Sequence, residues 1–287
     1  MLLKNPNLSQ ILIKRSITIT PDTTLLDARE KLLRHKLKRL IVLDRNKKPV
    51  GIITEKDIAK TVYSLGSKPI KSVKVGGFMS KNLLTVKKSA TIYECAKIMR
   101  NKKISSVIVV NDDETLAGII TKTDIASVFL TQATAPLKVS KIMTRKVITA
   151  MPGDSLLFVE SLLINYRLSR IVIQRNHVPV GIITFRDFVP AKLPRWIMES
   201  ADPSEVEKYK MGIQQFNAGV NQMNSLLHFK AVDIMSSSPV TVESNEDVGV
   251  AVMLMIRHGI SGLPVVKNSK LVGIITKTDI VKAVAAQ

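Results

Sequence analysis

Four threonine–aspartate pairs recur in this chain at one spacing: Thr54 and Asp57, Thr121 and Asp124, Thr184 and Asp187, Thr276 and Asp279. Each follows Gly-Ile-Ile and precedes a bulky apolar residue, with two variable residues between Thr and Asp. "GIITKTDI" occurs letter for letter at 118–125 and 273–280, with looser copies "GIITEKDI" at 51–58 and "GIITFRDF" at 181–188. A hydroxyl and a carboxylate three residues apart, delivered by an apolar strand to the start of a helix, can do two things. They can cap the exposed N–H groups of the first helical turn. They can also hold a ligand there, because such N–H groups favour phosphate while a carboxylate suits the paired hydroxyls of a ribose. Capping is satisfied by Ser, Asn, Asp or Thr alike. Retention of the same Thr and the same Asp in four copies therefore favours the ligand. In the "TKTD" copies, Thr123 and Thr278 offer a second hydroxyl, where the other copies have Lys56 and Arg186.

The elements that must position these residues repeat with them. An apolar-Thr-apolar segment centred on Thr18, Thr85, Thr149 or Thr241 precedes each glycine by 32 or 33 residues. Met79, Met143 and Met235 stand six residues before their threonines, and Leu12 takes that place in the first unit. In "TTLLDAREKLLRHK", Leu25, Leu26, Ala28, Leu32 and Leu33 have helical spacing, with Pro21 and Asp22 as start signals. The β-branched runs "LIVLD", "VIVVN", "RIVIQ" and "LPVVK" read as buried strands, bounded by polar turns such as "DRNKKP" and "NDDE". The unit is short strand, helix, strand, strand, helix, and the fold class is mixed α/β.

With the apolar-Thr-apolar segment in front and Gly-Ile-Ile-Thr-x-x-Asp behind, each unit resembles the cystathionine-β-synthase (CBS) domain. The resemblance covers nearly the whole chain apart from residues 191–230. It implies four repeats, at 1–66, 67–135, 136–190 and 231–287, working as two tandem pairs called Bateman modules: one with two, three with four. It further implies that each Asp accepts from ribose hydroxyls, that Thr54, Thr121, Thr184 and Thr276 contact phosphate, and that adenine lies in an apolar slot between paired units. Thr18, Thr85, Thr149 and Thr241 would lie near the ribose or base edge. Just before the middle strand the family, notably the γ subunit of AMP-activated protein kinase, places phosphate-binding cations. Lys38 and Arg39 take those places in unit one and Arg170 in unit three, whereas units two and four have Ser105-Ser106 and Ser261-Gly262. The two sites within a pair are therefore not equivalent. The function so implied is a non-enzymatic energy sensor binding AMP, ADP or ATP, with no cofactor required, which signals to a regulated partner protein or through a homodimer. S-adenosylmethionine is the alternative ligand and needs no phosphate cation.

Bulk properties narrow the classes. The 287 residues are 45% apolar and 23% charged, a globular balance. Lys and Arg number 43 against 23 Asp and Glu, for a net charge of +20 that attracts polyanions. The basic residues are spread along the chain, and aromatics at 4% leave few stacking platforms, so nucleic acid is the second reading. No apolar run approaches the roughly 18 residues of a membrane span, and the N-terminus turns polar too soon for a secretory signal. A single cysteine, Cys95, reads as a small buried residue and fits a reducing cytoplasm. His35, His177, His228 and His258 have no metal-ligand spacing, and there is no Walker loop, Gly-x-Ser-x-Gly elbow or His-Glu-x-x-His. His35 and His258 sit at matching places near a helix end, where they complement the dipole.

Between units three and four, Asp202-Pro203 reads as a helix start. Val206, Tyr209, Ile213, Phe216, Val220, Met223 and Leu227 then form an a/d stripe. Such a helix packs on the protein's own core or pairs with a subunit or partner, and Trp196 could anchor its start.

Overall fold

The computed structural model describes residues 6–10, 17–35, 37–55, 57–58, 61, 70–184, 187 and 229–286. The expected stripe at 206–227, Trp196, Lys56 and Arg186 lie outside the described residues. The first repeat comprises β1 (Thr18–Ile19), α1 (Leu25–Arg34), β2 (Arg39–Leu43) and β3 (Pro49–Thr54). The second comprises β4 (Thr85–Lys87), α2 (Ile92–Asn101), β5 (Ser106–Val110), β6 (Leu116–Thr121) and α3 (Lys122–Gln132). After a short α4 (Val139–Ile142) come β7 (Thr149–Ala150), α5 (Leu156–Asn165), β8 (Arg170–Arg175) and β9 (Val178–Thr184) of the third. The fourth follows α6 (Ala231–Ile234) and β10 (Ser236–Ser237). It contains β11 (Val242–Glu243), α7 (Val248–Arg257), β12 (Gly262–Lys267), β13 (Lys270–Thr276) and α8 (Lys277–Val284).

In the first three repeats the short leading strand runs parallel to the middle strand, which pairs antiparallel with the third. The fourth sheet has the same order, β11-β12-β13. Middle strands are continuous apolar runs because both their faces are covered: Leu40, Ile41 and Val42 are buried, as are Val107–Val110 and Ile171, Val172 and Ile173. Each first helix presses one face onto this sheet, Leu25, Ala28 and Leu32 in α1 and Leu156, Val159 and Leu163 in α5. α1 begins later than Pro21 and Asp22 suggest. Those two residues form the preceding turn, and the N-cap is Thr24, whose Oγ1 accepts from the Asp27 N–H. A cap must stand one residue before the helix with its oxygen aimed at the first turn; Thr24 has that position and Asp22 does not. His35 and His258 are the C-caps of α1 and α7.

Neighbouring repeats complete one another's sheets. Ser80, leading into the second repeat, exchanges two backbone hydrogen bonds with Ile52 on β3 (2.9 and 3.0 Å). Thr144, leading into the third, does the same with Ile274 on β13 (2.9 Å each way), and β10, leading into the fourth, lies antiparallel on β9. The hairpin tips agree with this pairing. The Lys47 carbonyl accepts from the Leu116 N–H (3.1 Å), and the His177 carbonyl accepts from Leu271 (2.7 Å). The chain holds four repeats in two pairs, one with two and three with four.

By compactness the chain divides into two units. The first takes in Met1–Thr144, Val242–Val265 and Ile274–Gln287, the second Arg145–Thr241 and Val266–Gly273. Inside the first unit, α8 of the fourth repeat packs on α2 and α3 of the second, and α7 packs on α3. Arg100 of α2 donates to the Ala285 carbonyl at the end of α8 (2.9 Å), placing a cation where the helix dipole favours it.

Candidate functional site

All four Thr–Asp pairs sit where a third strand ends. In each, the Thr N–H donates to Asp Oδ2 (2.9, 2.8, 2.6 and 2.8 Å for Thr54, Thr121, Thr184 and Thr276). The Thr hydroxyl donates to the same oxygen (2.7, 2.6, 2.7 and 2.7 Å). In α3 and α8 the hydroxyl oxygen also accepts from the N–H two residues on, Thr123 or Thr278, 3.2 Å in both. Thr121 and Thr276 are therefore the N-caps of α3 and α8, and Thr54 Oγ1 likewise accepts from the Asp57 N–H (3.2 Å); such a cap contributes about 1 kcal/mol. Capping uses Oδ2 and leaves Oδ1 outside the box, so the same carboxylate can serve a second partner. At Asp279, 6% exposed, that oxygen meets the Thr144 hydroxyl at 3.4 Å and Lys282 Nζ at 4.0 Å.

Four basic side chains gather in the first unit. Arg39 Nη1 donates to Ser105 Oγ (3.2 Å) and Lys38 Nζ to Ser261 Oγ (3.3 Å). These serines occupy in the second and fourth repeats the place that Lys38 holds in the first. Their carbonyls accept from the backbone N–H of Lys122 (3.2 Å) and Lys277 (3.1 Å), the first residues of α3 and α8. The side chains of those lysines then cross: Lys122 Nζ donates to Thr278 Oγ1 (2.9 Å), and Lys277 Nζ to Thr123 Oγ1 (3.1 Å). Hydrogen bonds thus link four cations from three repeats at the starts of two helices. Lys38, Arg39, Thr123 and Thr278 come together here. Arg170 lies at the start of β8 in the second unit, paired in register with Thr184.

The leading threonines are placed differently. Thr18, Thr85 and Thr149 are on β1, β4 and β7, and Thr241 immediately precedes β11. Thr85 is exposed, and Thr149 Oγ1 accepts from Gln174 Nε2 (2.9 Å), a bond specific to the third repeat. Lys122 and Lys277 are not among the candidates that the sequence motifs mark. Their signal was the full identity of "TKTD" in two repeats. A hollow of about 410 Å³ lined by Thr20, Asp22, Thr23, Asp27, Glu30, Lys31 and Arg34 lies along α1, and none of the four Thr–Asp pairs after Gly-Ile-Ile is among its lining residues. Among the described residues no group of three or more His, Cys, Asp or Glu could hold a metal ion, and no helix is long and apolar enough to cross a membrane. Cys95 is fully buried, and burial, aided by Glu94, pushes its thiol up to about 12.

Comparison with known proteins agrees with the four-repeat fold. The CBS-domain family model matches residues 8–64, 75–131, 139–193 and 231–286. The uncharacterized protein MJ1225 of Methanocaldococcus jannaschii is 25% identical, over 94% of this chain and 95% of that protein. Its crystal structure, described as that of a proposed archaeal homologue of γ-AMPK, superposes with a TM-score of 0.75 over 96% of this chain and 98% of that one. A conserved protein from Pyrococcus horikoshii shares the fold at 18% identity, with a TM-score of 0.64 over 97% of this chain and all of that one. The uncharacterized protein MJ1404 of M. jannaschii is 26% identical over 99% of this chain, which spans 63% of it.

Proposed function

The chain belongs to the CBS-domain family, and from that premise we propose that it is a non-enzymatic regulator that binds an adenine nucleotide, AMP, ADP or ATP, and passes its occupancy to a partner protein. One observation carries this reading. Lys38, Arg39, Lys122 and Lys277 converge on the same helix starts where the Thr–Asp boxes present carboxylates. Cations held close together create a potential that concentrates an anion, and N–H groups at a helix start favour phosphate. Carboxylate beside cation is the complement of ribose beside phosphate. The similarity to a proposed homologue of γ-AMPK supports the same class of ligand.

On this reading Asp57, Asp124, Asp187 and Asp279 hold ribose hydroxyls through Oδ1, while Thr121, Thr123, Thr276 and Thr278 with the lysines hold phosphate. Thr54 and Thr184 do so in the first and third repeats, joined by Arg39 and Arg170. Thr18, Thr85, Thr149 and Thr241 face the base or ribose edge. The protein works in the cytoplasm, and ligand shifts its shape only by binding one state better than another. Calorimetric titration with AMP, ADP and ATP tests the reading. Micromolar to low-millimolar binding, weakened by Asp124→Ala and by Asp279→Ala, supports it. Absence of binding at millimolar nucleotide, or unchanged binding by both variants, removes it.

The net charge of +20 favours a second reading, a nucleic-acid-binding regulator. It predicts retention of duplex DNA or RNA at low salt with a steep loss as salt rises.

A further inference from the structure

The crossed lysines assign a residue role that neither repeat could supply alone. Lys122 and Lys277 are the first residues of α3 and α8, and each reaches out of its own repeat. Lys277 is only 6% exposed, so its stem is packed and its ammonium held in place before any ligand arrives. Its acceptor, Thr123 Oγ1, sits in the first turn of α3, between Thr121 and Asp124 of the second repeat's box. Lys122 repeats the arrangement at Thr278, between Thr276 and Asp279. A two-fold-related contact of this kind needs the same pair on both sides, a lysine to cross and a threonine to accept. The first and third repeats have Glu55-Lys56 and Phe185-Arg186 at those positions and lack both.

We infer that each of these two clefts takes its phosphate-positioning cation from the opposite repeat: Lys277 serves the second-repeat cleft, and Lys122 serves the fourth. This rests on the nucleotide reading above and adds which cation belongs to which site. A lysine at the first position of a helix also faces the positive end of that helix's dipole. Phosphate, a charged acceptor, forms a stronger bond to the ammonium than the threonine hydroxyl does. The anion therefore takes over a lysine already aimed at its seat.

The test uses full-length protein in two backgrounds. Asp124→Ala disables the second-repeat cleft and Asp279→Ala the fourth, while signals from the first and third repeats persist in both and cancel in the comparison. AMP and adenosine are titrated by calorimetry. In the Asp279→Ala protein, Lys277→Met should weaken AMP about tenfold, the loss of one charge-assisted hydrogen bond. Its effect should be several-fold smaller in the Asp124→Ala protein, and Lys122→Met should give the mirror image. Adenosine, which has no phosphate, should lose less than twofold in every case. A same-repeat pattern, equal effects in both backgrounds, or a parallel loss of adenosine overturns the assignment while leaving nucleotide binding intact. Failure of the unmodified protein to bind AMP at millimolar concentration overturns the nucleotide reading and this assignment together. Should an alanine variant not fold, Asp124→Asn and Asp279→Asn keep the capping oxygen and replace it.

Discussion

Replacing Gly51 by alanine probes the seam between the first two repeats. A methyl built on Gly51 would overlap Met79 Sδ and stand 2.8 Å from its Cγ, whereas carbon atoms in contact settle at roughly 3.5–4.0 Å. Relaxation by a few tenths of an ångström cannot absorb that overlap, so Met79 must leave its seat. Met79 is half-buried against the core of the first repeat. Deleting a fully buried methionine costs about 2–5 kcal/mol, so losing a half-buried one costs about 1–2 kcal/mol. Opposing this, alanine at an unstrained glycine position stabilises by roughly 0.4–1 kcal/mol through the unfolded chain. The net expectation is a destabilisation of about 1 kcal/mol. With Met79→Ala already present the clash is gone, and Gly51→Ala should become neutral or stabilising. That change of sign amounts to a coupling of about 1–2 kcal/mol, within the range for residues in contact. Urea unfolding of the four proteins, followed by far-ultraviolet circular dichroism, measures it. Equal destabilisation by Gly51→Ala in both backgrounds would refute the reasoning. Gly181, whose methyl would overlap Met235 Sδ and come within 2.9 Å of Cγ, gives an independent repeat in the second unit.

Burial raises the Glu160 carboxyl above its ordinary 4.5. A carboxyl whose folded value is raised contributes stability in full below the unfolded value, and loses it as pH rises through the folded one. Glu160→Gln should therefore raise the melting temperature at pH 7 and leave it unchanged near pH 4; equal shifts at both would count against the burial. Cys95, with its thiol at about 12, should resist alkylation at pH 8 until the chain is unfolded, and stoichiometric labelling of native protein would contradict the packing. Asp124→Ala should cost about 1 kcal/mol of stability by removing the aspartate half of the capping box, whereas Asp124→Asn should recover most of it, because an amide oxygen still accepts from Thr121. Thermal melts of the two variants compare these directly.

Much of the architecture was legible because it is written in local pattern. The alternation in Gly-Ile-Ile-Thr, the apolar middle strands and the helical spacing of Leu25, Ala28 and Leu32 each specify an element without reference to anything distant. The start of α1 was less legible, since Pro21 and Asp22 carry the same chemical signal as Thr24 and only the chain's path selects between them. At Thr121 and Asp124, capping and ligand binding looked like rival explanations. The hydrogen bonds make capping a fact, and a carboxylate with two oxygens leaves room for the other role. Lys122 and Lys277 were illegible for a different reason. Their partners lie 156 and 154 residues away in sequence, and no local pattern records which two repeats will meet. Gln174 on Thr149 belongs to the same class: its significance depends on a strand register, not on its neighbours in sequence.

The backbone bonds of Ser80 to Ile52, of Thr144 to Ile274 and of β10 to β9 bear on how such a chain can be cut. In each, the outer edge of one repeat's sheet is closed by residues that belong, in sequence, to the lead-in of its partner. A fragment ending cleanly after β3 would keep every residue of its own sheet and still expose Ile52's edge, with the bare surface over Gly51 uncovered. Open apolar edges of that sort recruit other chains. The smallest piece that can be excised, shuffled or inherited as a soluble whole is therefore two repeats with the segment between them, and a lone repeat is a half-closed object.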